Sequence, residues 1–213
     1  MLRSFGEKNV FSIQYKFETN PFNESTLAGE TWGRFELFVR GIDICQYKRE
    51  NSLNTYQWNL IYIVEWFSEN LKYILSDDSF PLPVEGQHSL ELLDNCLSFE
   101  SDNDDEFDAW FDTKQEWEFQ HSWFSSRAGS FLADIFFRRV NDKIEIAWNN
   151  ESTYSTEGIS FTNPAGLEYI PIGIFESTVK SFIEDFLDQI MLKDDKKRNV
   201  EEILQNIKNN LKA

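Results

Sequence analysis

Histidine, cysteine and glycine are scarce in this 213-residue chain, which holds two His, two Cys and nine Gly. Each scarcity removes a class of chemistry. Cys45 and Cys96 lie far apart with no CxxC spacing, so neither a disulfide framework nor a thiolate metal site is indicated, and two reduced, half-buried thiols are expected. A zinc site would need both His88 and His121, drawn from distant places, plus carboxylates, and no HExxH occurs. No glycine-rich loop precedes a Lys-Ser/Thr pair and no GxSxG is present, which leaves no phosphate cradle and no activated serine. No cofactor or metal is expected.

Long apolar runs are missing too. The longest, Leu60 to Val64, is far short of the ~20 residues that cross a bilayer. Met1 to Gly6 passes directly into polar residues, so no signal peptide is expected and the cytoplasm is the default compartment. Cations are in deficit: 20 Lys+Arg stand against 37 Asp+Glu, for a formal net charge of −17. Direct binding to nucleic acid or to an anionic membrane would need the opposite balance.

What the chain does have is aromatic mass and ordinary globular composition. Phe, Tyr and Trp make up 16% of the residues, beside 41% apolar and 27% charged residues overall. Wholesale disorder is excluded. Rings of this kind fill cores or anchor interfaces, and composition does not apportion the two uses.

Hydrophobic periodicity predicts an α+β fold. Phe11, Ile13, Tyr15 and Phe17 alternate with polar residues, and Phe35, Leu37 and Val39 repeat the pattern before a turn near Arg40-Gly41 and a return through Ile42 and Ile44. A helix follows on Leu60, Ile63, Val64, Phe67, Leu71, Ile74 and Leu75, flanked by Trp58, Tyr62 and Trp66. Ser89 is placed to cap a short helix through Leu97. A hairpin turns at Val140-Asn141-Asp142-Lys143, with Arg138 and Arg139 expected to pair with nearby carboxylates. Residues 149–166 read as loop with a short strand at Ile159–Phe161. Phe175 through Met191 form a second long amphipathic helix, and Asn199 with Glu202 caps a final one. The expected architecture is a small antiparallel sheet with hairpins packed on two long helices, residues 1–192 forming one domain and 193–213 a helical appendage.

The charge is patterned. Glu100, Asp102, Asp104, Asp105, Glu106, Asp108, Asp112, Glu116 and Glu118 face only Lys114, for −8 within 19 residues, while residues 193–213 carry +2. Asp102 to Glu106 look superficially like a calcium loop, but the required glycine and terminal glutamate are Phe107 and Thr113. If residues 105–124 are helical, Trp110, Trp117 and Phe124 share one side, and carboxylates cover much of the rest. Either the helix simply solvates an acidic face, or it meets a basic partner, with Asp102, Asp104, Asp105, Glu106, Asp108, Trp110, Asp112 and Trp117 as the contact residues.

Three functions are compatible with these features. The foremost is a non-enzymatic inhibitor or immunity-type partner of a basic, nucleic-acid-processing protein such as a nuclease. An accessory subunit of a multi-protein bacterial defence complex is second. A carboxylate-metal hydrolase on Asp134 and Glu145 is third; against it, a Glu-x-Lys motif would need lysine where Ala147 stands, and both acids are expected as solvent-side charges.

Overall fold

The computed structural model describes residues 1–22, 24, 26–123, 131–193 and 200–211, and within these the side chains of 193 and 200–204 are left aside. The expected α+β architecture is present. β1 (Arg3–Glu7), β2 (Phe11–Phe17) and β3 (Trp32–Val39) pair antiparallel in sequence order, β3 following the short α1 (Leu27–Glu30). β4 (Ile42–Asp43) returns on β3 through Arg40 and Gly41, both at positive φ (52° and 85°). Both central residues of a tight hairpin turn need that left-handed backbone, and the glycine supplies one without strain.

Alternation sends Phe11, Ile13, Tyr15, Phe35, Leu37 and Val39 into the core. β5 (Tyr47–Arg49) and β6 (Ser52–Asn54) form a small outlying ribbon, and β7 (Gln57–Asn59) pairs with the start of β3. Trp58 therefore belongs to a strand and not to a helical flank. The helix, α2 (Ile61–Leu75), begins just after Leu60 and buries Ile63, Val64, Phe67, Leu71 and Ile74.

α3 (Ser89–Cys96) is capped by His88, whose Nδ1 accepts from the Glu91 N–H at 3.2 Å. Ser89, expected as the cap, is instead the first helical residue and is buried. α4 (Asp104–His121) carries the acidic segment. β8 (Phe136–Val140) and β9 (Lys143–Asn149) form the expected hairpin, with Asn141 at φ 58° in the turn. β10 (Ile159–Phe161) pairs with β5, and β11 (Ala165–Pro171), inside and beyond the expected loop, pairs along the whole of β9. α5 (Ile172–Lys193) and α6 (Val200–Asn210) complete the chain. Phe124 and Asn199, given places by periodicity and capping, lie outside the described residues.

One aromatic cluster joins these elements. Trp123 is fully buried, donates its indole N–H to Ala133 C=O at 2.7 Å, and meets Phe35, Trp66, Phe67 and Phe137 at centroid distances of 5.4–6.2 Å. Phe175 and Phe182 of α5 extend it. Edge-to-face pairs of this sort add about 0.5–1.5 kcal/mol each beyond area burial. Most of the aromatic mass is thus spent inside. Tyr15 donates to Asp185 at 2.8 Å, and Arg3 pairs with the same carboxylate, tying β1 and β2 to α5. Ile207 of α6 is buried in the common core, with Leu211 packed against it.

Candidate functional site: the acidic helix and its adjoining cleft

α4 starts where local chemistry favours a start. Asn103 Oδ1 accepts from the Asp105 N–H at 3.1 Å, and the Ser101 hydroxyl donates to Glu106 at 3.0 Å. Asp104, Asp105 and Glu106 occupy the first turn, where free backbone N–H groups favour negative charge. Asp102, Asp104, Asp105, Glu106, Asp108 and Asp112 are all exposed. No cation among the described residues pairs with any of them. Lys114, the one cation of the segment, is folded onto Glu118 at 3.0 Å and is only 14% exposed.

The two tryptophans expected beside these acids face inward. Trp110 stacks on Phe99 with centroids 4.0 Å apart and rings within 7° of parallel, and its indole donates to Cys96 C=O at 3.1 Å, satisfying a carbonyl at the end of α3. Trp117 is 6% exposed, stacked on His121 at 4.2 Å and met edge-on by Phe80 at 4.9 Å. From α2, the Trp66 indole donates to Phe119 C=O at 2.9 Å. The large apolar groups that α4 does present outward are Phe107, 42% exposed and leaning on Phe111, and Phe119, 38% exposed.

At the C-terminal half of α4 the acidic face runs into a cleft of about 240 Å³ between α2, the 76–81 segment, α4 and β8. Asp78 and Glu116 stand at its rim, both exposed, and Trp117, His121 and Arg138 line it. Burial pushes the His121 imidazole down to about 4, and the Arg138 charge pushes the same way; its Nδ1 lies 2.9 Å from Trp117 C=O. His121 is therefore neutral at pH 7. Arg138 bonds Glu145 at 2.9 Å.

Glu145 overturns its expected place as a solvent-side charge: it is 0% exposed. The reason is that both faces of the β8–β9–β11 sheet are covered, the second by α3. Ser89 at the start of α3 delivers its backbone N–H and hydroxyl to Glu145 Oε1 at 2.8 and 2.5 Å, while Arg138 and the Tyr169 hydroxyl donate to Oε2 at 2.9 and 3.3 Å. Burial and the neighbouring carboxylate raise Tyr169 above its ordinary range. Asp134 lies before β8, its backbone N–H and C=O both bonded to the Asn150 amide at 2.7 and 2.9 Å. The two acids do not converge. Arg138 and Arg139 do pair with carboxylates, Arg139 with Asp77 at 3.7 Å. Among the described residues no three His, Cys, Asp or Glu side chains are placed to share a metal ion, and no helix is long and apolar enough to cross a membrane.

The segment from α1 into α6, residues 29–205, matches the model of DUF5984, a family of unknown function. The chain belongs to DUF5984. The DUF5984 match takes in α4, the cleft and the Glu145 cluster and leaves out β1 and β2. No curated protein and no solved structure matches the chain.

Sequence reading finds the acids of α4 but not the cleft. Its lining comes from three separated stretches, and Ser76 to Ser79 carries no motif. The pairing of Arg138 with Glu145 does leave a signal. A two-residue turn at Asn141-Asp142 sets 138 directly across from 145.

Proposed function

We propose that this protein is a non-enzymatic binding module of the cytoplasm, an inhibitor or immunity-type partner that docks the acidic face of α4 on a basic, nucleic-acid-processing protein. One observation carries the reading: six carboxylates stand exposed and without a cationic partner among the described residues, on a helix fastened from beneath by Trp110 and Trp117. Charge concentrated on one surface steers encounter and selects partners of opposite sign. Carboxylates so arranged can stand where phosphates would lie in a basic groove.

The test is comparative capture of basic proteins from the native host at low and high salt. The parent should retain a basic partner that is lost when Asp102, Asp104, Asp105 and Asp108 become Asn, and lost again as salt rises. Equal capture by parent and variant would sink the electrostatic reading.

A second reading, an accessory subunit of a multi-protein defence complex, is favoured by one feature. Met191 and Leu192 at the end of α5 are 44% and 79% exposed, apolar surface of the kind that lasting interfaces cover. It predicts that removing residues 199–213 abolishes assembly while the Asp-to-Asn variant leaves assembly intact.

A further inference from the structure

We propose that the cleft beside α4 seats an arginine side chain of the basic partner, which arrives along the carboxylates of the helix. The inference rests on the acidic-face reading and adds a specific receptor site to it.

Size narrows the occupant first. The cleft's volume of about 240 Å³ lies below the roughly 300–1,000 Å³ typical of small-molecule sites. It suits one long side chain. Apart from the Arg138 Nε–H, which is buried without a partner, its lining offers acceptors: the carboxylates of Asp78 and Glu116, beside the oxygens of Ser76, Thr113 and Gln120, whose own donors are spent on Asp78, Ala109 C=O and Glu116. A guanidinium brings five N–H donors in a planar fork, more than an ammonium can offer.

The sign of the cleft follows from counting what is committed. Arg138 is the lone cation on the lining among the described residues. Its charge is answered by Glu145, which is wholly buried behind it and held there by Ser89 and Tyr169. His121 is neutral and adds nothing. Asp78 and Glu116 remain, and no described cation pairs with either. The balance is about −2, which repels a phosphate or carboxylate and attracts a cation.

A route in is also built. Asp105, Asp108, Asp112 and Glu116 are spaced by three, four and four residues, so they line one side of α4 for about 16 Å. Glu116 is at once the last member of that row and the rim of the cleft. A basic segment drawn along the row reaches the cleft at its end.

The experiment is an NMR titration at low salt with short N-acetylated polyarginine and length-matched polylysine peptides. The Trp117 indole and Gln120 amide report on the cleft, and the backbone amides of residues 104–112 report on the helix. Polyarginine should move the cleft signals saturably and more tightly than polylysine. In the Asp78→Asn/Glu116→Gln variant, two exposed substitutions that spare the fold, polyarginine should bind about tenfold more weakly while still moving the helix signals. If the helix signals move, the cleft signals stay still and the variant binds like the parent, the cleft assignment falls and the acidic-face reading survives. If neither set moves, both fall. If inorganic phosphate shifts the cleft signals and polyarginine does not, the cleft is an anion site and the assignment is overturned.

Discussion

Two groups of carboxylates in this protein have opposite fates. Glu145 sits between the faces of a covered sheet with every oxygen engaged by a named donor. The acids of α4, from Asp104 to Asp112, stand in solvent without a described cation. In a count of charges the two groups are indistinguishable. A buried carboxylate stays ionised only where its partners are already in place, so its neighbours are fixed by folding. An exposed row without partners imposes no such order and leaves its charge free to act on something outside the molecule.

The largest effect should come from removing the buried carboxylate. Glu145→Ala strands Arg138 and the Ser89 donors, and urea denaturation should show a loss of about 3–5 kcal/mol. Trp110→Ala comes next. It deletes a half-buried stacked ring and its bond to Cys96 C=O, and should cost about 2–3 kcal/mol and lower the helical signal in circular dichroism. Converting Asp104, Asp105 and Asp108 to Asn together should shift stability by no more than about 1 kcal/mol, because relief of mutual repulsion opposes the loss of favourable charge at the helix start. A loss as large as that of Glu145→Ala would show that the row is structural.

The last effect is one of pH, in which two groups oppose each other. His121 takes up a proton near its ordinary 6.5 when unfolded but only near 4 when folded, so its contribution to stability is lost as pH falls through that window. Asp43 behaves oppositely. Burial first, and then the charge of Glu36, lifts its carboxyl to about 7, against a 3.8 reference. The folded chain therefore gains stability from Asp43 as pH falls from about 7 toward 4. The two partly cancel. In Asp43→Asn, where the amide oxygen can still accept from the Cys45 N–H, denaturation series between pH 7.5 and 4.5 should show stability falling more steeply toward acid than in the parent.

Period and turn chemistry made much of this fold legible. The apolar rows of α2 and α5 and the turns at Arg40-Gly41 and Asn141-Asp142 stand where the pattern puts them. Strands with little apolar content escaped. β1 carries Phe5 among Arg3, Ser4, Gly6 and Glu7, and β5 to β7 are three residues each, too short for alternation to register. β11 overlaps the expected loop only at Ala165 and Gly166, and its remaining residues were given no element, although it pairs with β9 from end to end. That pairing, with α3 laid across, is what encloses Glu145. Whether a strand face meets water depends on what packs over it, and local alternation carries no record of that. On α4 the opposite held. The acids were evident from composition, and the inward turn of Trp110 and Trp117 follows from their sharing a helical side with His121.

The fastening of α4 is uneven along its length. Its ring contacts and hydrogen bonds to other elements begin at Trp110 and continue through Trp117, Phe119 and His121, whereas Asp104 to Ala109 are held mainly by the Asn103 cap and the Ser101 bond. The helix is in effect a cantilever, clamped at one end and charged at the other. Amide hydrogens of residues 104–109 should exchange with solvent well before those of 114–121. The acidic tip can therefore bend or unwind to suit a visitor while the aromatic core remains shut.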